Sequence, residues 1–357
     1  MSTEPAQAPD NTPTDVREAH RFDVKKLEAY ARDAVEGFSG SLDVRQFSAG
    51  QSNPTYLLTT SSDKGEKRYV LRKKPPGQLL ASAHQVDREY RVMKALEHTD
   101  VPVPRMYALC EDESVIGTSF YIMEYLEGRV FTDATIPGAS GAERKALYQN
   151  MAENLARLHA VDYEAVGLGD FGKPGNYFER QIGRWIKQYR GAQTTDVPSM
   201  EELIKYLPQH IPNEQSVTIA HGDYRIGNVM FHPTEPKMIA VLDWELCTIG
   251  HPLADVAYNC MYDLMAVSAN APAIDRATMP GIPTVEEHVA NYCRQAGRAG
   301  IEDLNFYLAF SMFRLASISQ GVYKRGLDGN ASSERAMTLG DACATLANAA
   351  WDIVQKP

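Results

Sequence analysis

Three side chains that carry oxygen atoms, Asp223, Asn228 and Asp243, are spaced in a way that suits the transfer of a phosphoryl group. Phosphoryl transfer needs Mg²⁺ held against the phosphates of a nucleotide and an acceptor hydroxyl held in line with them. Mg²⁺ takes oxygen ligands from one or two side chains and leaves its other positions to water and phosphate. We therefore interpret Asn228 and Asp243 as metal ligands and Asp223 as the acceptor of the hydroxyl proton. In the alternative interpretation, these residues only form turns.

The residues between Asn228 and Asp243 predict a β-hairpin. Two short apolar runs, at 229–232 and 238–242, have the composition of strands, and the segment 233–237 between them is rich in turn-forming residues. A hairpin of this length returns Asp243 to the side of Asn228, which a shared metal site requires.

The motif His221-Gly222-Asp223 and the residues that follow it resemble the aminoglycoside phosphotransferase-like kinase superfamily. That group shares the protein-kinase fold but has H-G-D where protein kinases have H-R-D. The resemblance covers residues 42–344 and is closest to the branch that contains the kinase-like domains of some acyl-CoA dehydrogenase fusion proteins. Sequence segments typical of that branch occur in this chain at residues 50–55, 70–77 and 250–255.

The resemblance implies an enzyme of the α+β class with a protein-kinase-like two-lobe fold. A flexible tail, at residues 1–24, would precede a nucleotide-binding N-lobe, at 25–124, built on a small antiparallel sheet. The larger, helical C-lobe, at 125–357, would hold the catalytic loop and the substrate. The implied cofactors are ATP and Mg²⁺, and the implied reaction transfers the γ-phosphate to an alcohol group.

Residues 47–60 predict a strand, a loop and a second strand. Gly50, Ser52 and Asn53 lie where kinases fold a loop over the ATP phosphates, and small polar residues there offer hydrogen-bond donors to phosphate oxygens. Only one glycine is present, so the segment departs from the G-x-G-x-x-G pattern. An ordinary hairpin turn is the alternative.

The next strand, predicted at 68–73, is expected to contribute the phosphate contact. Every second residue of a strand shares one face, and this parity puts Arg72 where the V-A-I-K strand of kinases has its lysine. Arginine binds phosphate or carboxylate through two parallel hydrogen bonds. Lys74 has the same parity and stays an alternative. Glu89, on a helix predicted at 82–96, is the expected partner of Arg72, as the equivalent glutamate is for the kinase lysine.

The apolar segment 119–125 is followed by residues 126–128, which end the strand pattern, and is interpreted as the hinge between the lobes. The resemblance implies that adenine binds there through backbone groups. The expected pair is the carbonyl of Glu124 and the amide of Leu126.

In the C-lobe, the helical spacing of apolar residues predicts a buried helix at 143–161, beneath the catalytic loop. His221 is expected to pack under that loop, and Arg225 to neutralise charge near the transferred phosphate. The resemblance implies that Asp255 opens a helix and holds the loop through backbone amides. The sequence D-F-G at 170–172 precedes H-G-D, so we interpret it as an ordinary loop and not as the metal site.

The composition agrees with an enzyme of the cytoplasm. A net charge of −10 argues against broad binding of nucleic acid. Five widely spaced cysteines without a C-x-x-C pair predict reduced, buried thiols. No apolar run approaches the ~20 residues of a membrane span, and the N-terminus lacks the apolar core of a signal peptide. We therefore expect neither a nucleic-acid nor a membrane partner.

Basic and aromatic residues on both sides of the catalytic loop indicate the class of acceptor. The residues predicted to contact this small-molecule substrate are Arg180, Arg184, Trp185 and Arg314. Basic groups suit an anionic, phosphate-bearing substrate better than a polycationic aminoglycoside, and the branch resemblance also indicates a hydroxyacyl-CoA. An acyl-CoA dehydrogenase would then be a separate protein that works with this one. The alternatives are an aminoglycoside or sugar kinase, a non-catalytic nucleotide-binding module and, for the basic residues, a solvated helix face.

Overall fold

Five antiparallel strands form a sheet in the N-terminal half of the protein. They are β1 (Ser41–Gln46), β2 (Thr55–Ser62), β3 (Gly65–Lys73), β4 (Met106–Cys110) and β5 (Phe120–Glu124). Their order across the sheet is β1-β2-β3-β5-β4. The computed structural model describes residues 12–47, 53–63, 65–75, 85–265, 276–329 and 334–355. The strand predicted at 68–73 is the second half of β3.

Three helices belong to this half: α1 (Val24–Ala34), α2 (Val86–Leu96) and α3 (Glu113–Ile116). Helix α1 begins after Asp23, whose side chain accepts hydrogen bonds from the first free amides of the helix. Its buried residues Leu27 and Ala31 belong to the same hydrophobic cluster as Tyr56 and Leu58, which alternate along β2 and point to the same face. This contact forms the core of the N-terminal half.

Part of the predicted N-terminal tail is packed on this sheet. Thr14 exchanges two backbone hydrogen bonds of 2.8 Å with Gln46 of β1, and the ring of Phe22 lies 5.2 Å from that of Tyr56. The prediction of a flexible tail at residues 1–24 is therefore wrong from Thr14 onward. The polar composition of the segment did not reveal that an open sheet edge offers it backbone partners. Residues 1–11 lie outside the described ranges.

Helix α2 connects the two halves of the protein. It begins at Val86, and residues 82–84 of the predicted helix lie outside the described ranges. Its buried residues Val92 and Leu96 belong to the hydrophobic core of the C-terminal half. Glu89 lies on the same buried face and is thereby carried to the boundary between the halves.

The C-terminal half is mainly helical. Its helices are α4 (Gly141–Ala160), α5 (Tyr177–Ala192), α6 (Pro198–Tyr206), α7 (Pro252–Met265), α8 (Val285–Ala296), α9 (Leu304–Leu327) and α10 (Ala342–Gln355). Short 3-10 turns occupy Glu18–His20, Leu207–Gln209, Ile226–Asn228, Trp244–Leu246 and Glu334–Leu339. Four short strands form two antiparallel pairs, β6 (Thr218–Ala220) with β9 (Thr248–Gly250) and β7 (Val229–Phe231) with β8 (Met238–Val241). The helix predicted at 143–161 is α4, and the predicted α+β class is confirmed.

The segment that follows β5 is fastened to the hairpin β7–β8. Arg129 and Phe231 exchange two backbone hydrogen bonds, of 2.7 and 2.8 Å. A Cβ atom on Gly128 would lie 2.6 Å from the carbonyl oxygen of Phe231, so only glycine allows the chain to approach this closely. The lobe boundary predicted at residue 124 coincides with the end of β5, although the division into lobes with separate roles stays a prediction.

All five cysteines lie within the described ranges. Each is buried, and no disulfide joins them there. Burial raises the pKa of the Cys343 thiol to about 11, so this thiol carries little of the reactive thiolate. The predicted buried thiols are thus confirmed. None of the helices in the described ranges is long and apolar enough to cross a membrane.

Candidate active site

The hairpin predicted between Asn228 and Asp243 is present and brings the two residues together. Val229 of β7 lies opposite Val241 of β8. One step further, the amide of Leu242 donates to the carbonyl of Asn228 at 2.8 Å. Because this bond extends the ladder, Asn228 and Asp243 lie at neighbouring positions at the same end of the hairpin.

Asp223 and Asn228 are in direct contact. Nδ2 of Asn228 donates to the backbone carbonyl of Asp223 at 2.9 Å and to its Oδ2 at 2.6 Å. The Nε of Arg225 lies 3.4 Å from the same Oδ2. These contacts orient the Asp223 side chain, and its Oδ1 accepts no hydrogen bond from the described part of the chain. Since the amide nitrogen of Asn228 faces Asp223, its Oδ1 is the atom that can bind a cation.

Asp243 contacts the sheet of the N-terminal half. Its Oδ1 accepts a hydrogen bond of 2.7 Å from Nη2 of Arg72, and 30% of its side chain is exposed. Its φ and ψ are 61° and 62°, in the left-handed region, which aspartate enters more readily than most residues. Such a backbone is costly and concentrates at functional sites.

Arg72 bridges two carboxylates. Its Nε lies 3.0 Å from Oε2 of Glu89, whose side chain is fully buried, while its Nη2 binds Asp243. Glu89 also accepts hydrogen bonds from the hydroxyl of Tyr121 at 2.9 Å and from Nδ2 of Asn53 at 2.6 Å. Burial is the largest single influence and disfavours the charge on Arg72, but Glu89, Tyr121, Asp243 and Glu245 together outweigh it and raise the pKa of the guanidinium above its ordinary value. The predicted contact between Arg72 and Glu89 is therefore present, with the arginine charged.

The structure distinguishes Arg72 from its alternative, Lys74. The Nζ of Lys74 lies 4.0 Å from Asp87, and both side chains are about one-third exposed. Lys74 therefore makes a surface contact, whereas Arg72 reaches the residues of the hairpin. The contact of Arg72 with phosphate stays a prediction.

The predicted phosphate loop is described only at its end. Gly50 and Ser52 lie outside the described residues. Asn53 is fully buried, and its amide nitrogen holds Glu89. Its side chain thus supports the charged bridge from within the protein, which the pattern of small polar residues did not predict.

Asp255 holds the catalytic loop, here residues 221–228. Its carboxylate oxygens accept hydrogen bonds from the backbone amides of His221 and Gly222, at 2.7 and 2.8 Å. Nε2 of His159 lies 3.3 Å from the same carboxylate. Burial opposes ionisation of Asp255, but the hydrogen bonds from His159 and the loop hold its pKa below the ordinary value. The predicted bracing role of Asp255 is confirmed.

His221 and Gly222 shape the start of the loop. His221 is fully buried, its Nε2 lies 2.9 Å from the carbonyl of Leu242, and its Nδ1 accepts from the amide of Asp223 at 3.2 Å. This network assigns the proton to Nε2. Gly222 has a φ of +82°, and a Cβ atom there would lie 2.6 Å from the carbonyl oxygen of Leu246. The predicted packing of His221 beneath the loop is confirmed.

The predicted hinge residues follow one another at the end of β5. The amide of Glu124 donates to the carbonyl of Arg105 at 2.8 Å, and its carboxylate accepts from the amide of Arg105 at 3.1 Å. The amide of Leu126 donates to no acceptor within the described residues. The adenine contact stays a prediction.

The four residues predicted to contact the acceptor do not share one exposed surface. Arg180 donates to backbone carbonyls before α5, and Arg184 is exposed, with its guanidinium carbon 5.5 Å from the ring centre of Trp185. Trp185 is buried. Arg314 is also buried, and its Nη2 donates to the carbonyl of Gly222 at 2.6 Å. The contact of Arg314 with the acceptor stays a prediction, and its position on a long helix did not reveal that its side chain is covered.

The D-F-G sequence forms a loop, as predicted. The carboxylate of Asp170 pairs with Arg91 at the surface. The guanidinium of Arg88 lies over the ring of Phe171 at 3.8 Å and donates to its carbonyl at 2.8 Å. Arg88 also reaches the carbonyl of Cys247 at 3.4 Å. This link between α2 and the residues after Asp243 was not predicted, since the acceptors are backbone carbonyls, which leave no signal in the sequence.

Residues 43–288 match the model of a family described as "Phosphotransferase enzyme family". The chain is 45% identical over 347 residues to acyl-CoA dehydrogenase family member 10 of Mus musculus, a match that covers 93% of this chain and 32% of the mouse protein. The chain therefore spans about a third of the length of this curated relative.

Solved structures show the same architecture. A protein from Ralstonia eutropha JMP134, described as a candidate aminoglycoside phosphotransferase, is 50% identical, with a TM-score of 0.84 and coverage of 94% of this chain and 99% of that one. A thermostable mutant of aminoglycoside phosphotransferase APH(4)-Ia, in a ternary complex with ADP and hygromycin B, is 17% identical, with a TM-score of 0.58 and coverage of 92% and 98%. The second likeness concerns the fold alone. Together they confirm the predicted kinase-like fold.

Proposed function

This chain belongs to the phosphotransferase enzyme family, and on that premise we propose that it is a kinase that transfers the γ-phosphate of ATP to a hydroxyl group of a small molecule. The observation that carries this proposal is the network at one end of the hairpin. There Asn228 contacts Asp223, and Arg72 joins Asp243 to Glu89. The network brings together the groups that phosphoryl transfer from ATP requires: a carboxylate for the acceptor hydroxyl, oxygen ligands for Mg²⁺ and a cation for the phosphates.

The residues fit a Mg²⁺ ion. Asn228 has its amide oxygen available, and Asp243 has a second carboxylate oxygen beyond the one that Arg72 binds. No group of three or more His, Cys, Asp and Glu side chains that could hold a metal occurs in the described ranges. Mg²⁺ in kinases needs only a few protein oxygens, because phosphate and water complete its shell. When bound, the ion would neutralise charge on the phosphates.

Asp223 is proposed as the group that accepts the proton of the acceptor hydroxyl. Its Oδ2 is occupied by Asn228 and Arg225, which leaves Oδ1 for the substrate. A base must lie within hydrogen-bond distance of the proton that it removes. The contacts on Oδ2 fix the carboxylate so that Oδ1 is held in one direction. Arg225, beside it, is proposed to balance charge that develops on the transferred group.

The nucleotide is proposed to lie between the sheet and the hairpin. Arg72 would contact its phosphates, held in place by Glu89, and the loop with Gly50 and Ser52 would cover them, while Asn53 holds Glu89 from within. The carbonyl of Glu124 and the amide of Leu126 would bind the adenine. The nucleotide would thus bind mainly through backbone groups and one partly buried arginine.

We propose a hydroxyacyl-CoA-like compound as the acceptor. The exposed cation Arg184, next to Trp185 on α5, supports an anionic substrate, since charge-assisted hydrogen bonds to phosphate are among the stronger ones. The family to which the mouse relative is assigned, that of acyl-CoA dehydrogenases, supports the same class. A separate acyl-CoA dehydrogenase would then act on the same compounds. An aminoglycoside or sugar acceptor, or a non-catalytic nucleotide-binding role, is the alternative.

The deciding experiment measures ATP consumption by the purified protein with three groups of acceptors: 4-hydroxyacyl-CoAs, kanamycin-type aminoglycosides and simple sugars. Phosphorylated products are identified by mass spectrometry. Transfer to hydroxyacyl-CoAs alone supports the full proposal. Transfer only to an aminoglycoside or sugar overturns the acceptor class but keeps the kinase. Nucleotide binding without transfer to any acceptor favours the non-catalytic module.

A further inference from the structure

Arg314, on α9, is a buried cation that pairs with no carboxylate of the described residues. Only 7% of the residue is exposed, and its guanidinium makes no ion pair with the described residues. Its guanidinium carbon lies 5.6 Å from the ring centre of Trp185 and 5.3 Å from that of Tyr258. Two aromatic faces thus stabilise the charge in part. Taking a cation out of water without a counter-ion is costly, so a purely structural role explains the position poorly.

Among the described residues, the hydrogen bond of Arg314 falls on the catalytic loop. Its Nη2 donates to the carbonyl of Gly222 at 2.6 Å. That carbonyl belongs to the peptide group that joins Gly222 to Asp223, the proposed base. On the other side of Gly222, the amide donates to Asp255 at 2.8 Å. The residue before the base is therefore held from both directions, by a carboxylate on its N–H and by a guanidinium on its C=O.

Gly222 needs such support because of its residue type. Glycine changes its backbone conformation more readily than any other residue. Its positive φ and the approach of Leu246 exclude a side chain here. A rotation of the Gly222–Asp223 peptide would turn the Asp223 side chain away from its contact with Asn228. Rigidity at this position has to come from hydrogen bonds, and Arg314 supplies the one on the carbonyl.

We infer that Arg314 positions Asp223 by holding the carbonyl of Gly222, and that Arg314 does not contact the acceptor. This inference rests on the proposed kinase function. It assigns to α9, far along the chain from the catalytic loop, a direct part in holding the base. Trp185 and Tyr258 keep the guanidinium plane in the position from which it donates.

The test compares Arg314→Met and Arg314→Lys with Arg298→Met. Arg298 is a suitable control, since it is also an arginine of the C-terminal half, but it pairs with Glu214 and not with the loop. Arg314→Met should lower kcat by about 10²-fold, because a small displacement of a catalytic group has costs of this order. The KM values for ATP and acceptor should stay near those of the wild type. Arg314→Lys, which keeps a cationic donor, should recover part of kcat.

A second readout does not depend on activity. Amide hydrogen exchange in a peptide that covers residues 221–228 should be several-fold faster in Arg314→Met than in the wild type, because the loop opens locally more often. Arg298→Met should leave this peptide unchanged. If Arg314→Met does not fold, Arg314→Lys is judged by the same exchange and the same kcat.

The outcomes separate this inference from the proposed function. A wild-type protein without transfer to any acceptor overturns the kinase proposal, while faster exchange in the variant would still support the anchoring of the loop. Unchanged exchange and unchanged kcat in a folded Arg314→Met overturn the inference alone. A raised KM for the acceptor with normal kcat also overturns it, since Arg314 would then contact the substrate.

Discussion

The guanidinium of Arg72 lies 2.7 Å from the carboxylate of Asp243, so the third strand of the sheet touches a residue that lies just after the hairpin β7–β8. The same guanidinium contacts Glu89 of α2 at 3.0 Å. One side chain thus connects the sheet, the helix beside it and the hairpin of the C-terminal half. The arrangement suggests that Arg72 serves both stability and nucleotide binding.

The first prediction concerns this bridge. Arg72→Ala should lower the free energy of unfolding by about 3–5 kcal/mol, because it leaves the buried carboxylate of Glu89 without a cation. Arg72→Lys should cost less but weaken ATP binding, since an ammonium does not have the two-sided reach of a guanidinium. Denaturant unfolding and calorimetry measure the two effects. Arg45→Ala, at an exposed pair of the same sheet, is the control and should change neither.

The second prediction concerns the proposed base. Asp223→Asn keeps the shape of the side chain but removes its charge and most of its basicity, so turnover should fall by roughly 10²–10⁴. The dissociation constant for ATP should change little. Asp170→Asn, in the D-F-G sequence that precedes the catalytic loop, should keep full turnover. A folded Asp223→Asn protein with normal turnover would refute the role.

The third prediction concerns the metal. Asp243→Asn should abolish the dependence of nucleotide binding on Mg²⁺, because it removes a charged oxygen ligand. Asparagine tolerates the left-handed backbone at this position, so the variant tests charge and not strain. Titration of the nucleotide in the calorimeter with and without Mg²⁺ provides the measurement. A metal dependence equal to that of the wild type would show that Asp243 is not the ligand.

The fourth prediction concerns the acceptor. Arg184→Glu should raise the KM for an anionic acceptor by an amount worth about 1–3 kcal/mol, the range for hydrogen bonds to charged groups, with little change in the KM for ATP. Wild-type KM for the acceptor should rise with salt, because exposed charges are screened over ~8–10 Å at physiological ionic strength. Arg294→Glu, an equal charge change at an exposed position on α8, is the control. Equal effects of the two substitutions would contradict a specific contact at Arg184.

The fifth prediction concerns pH and stability. Glu214 and Arg298 form two parallel hydrogen bonds of 2.9 Å, which lower the pKa of Glu214 to about 2. The folded-state pKa is below the unfolded value of ~4.3, so this stabilisation is present above that pH and is lost as pH falls towards the folded-state value. Glu214→Gln should therefore lower the Tm at neutral pH, and the difference from the wild type should shrink as the pH is reduced below ~4.3. The control is Glu202→Gln, which removes a carboxylate from an exposed ion pair and should leave the Tm unchanged at every pH. A difference for Glu214→Gln that stays constant down to acidic pH would contradict the assignment.

Local features of this protein were predictable from the sequence. The spacing of Asp223, Asn228 and Asp243, with turn-forming residues between two apolar runs, predicted the hairpin and the meeting of its ends. The order of motifs predicted a sheet followed by a helical half. It also excluded the D-F-G sequence as a metal site, because that sequence comes before the catalytic loop. Each of these conclusions depends on residues that are near one another in the chain.

Contacts between distant segments were decided only by the tertiary structure. Arg72 and Lys74 have the same parity along the chain, and only the tertiary contacts with Glu89 and Asp243 distinguish Arg72. The sequence grouped Arg314 with other basic residues that were predicted to contact the acceptor, but the packing of α9 buries its side chain. The hydrogen-bond partner of Arg314 is a backbone carbonyl. Because every residue has this group, the sequence could not identify the partner. The sequence alone thus indicated the proposed reacting groups and their local order. The long-range packing that holds these groups depends on which faces of the helices and strands are covered by other elements. The residue type at a single position does not reveal whether that position is covered.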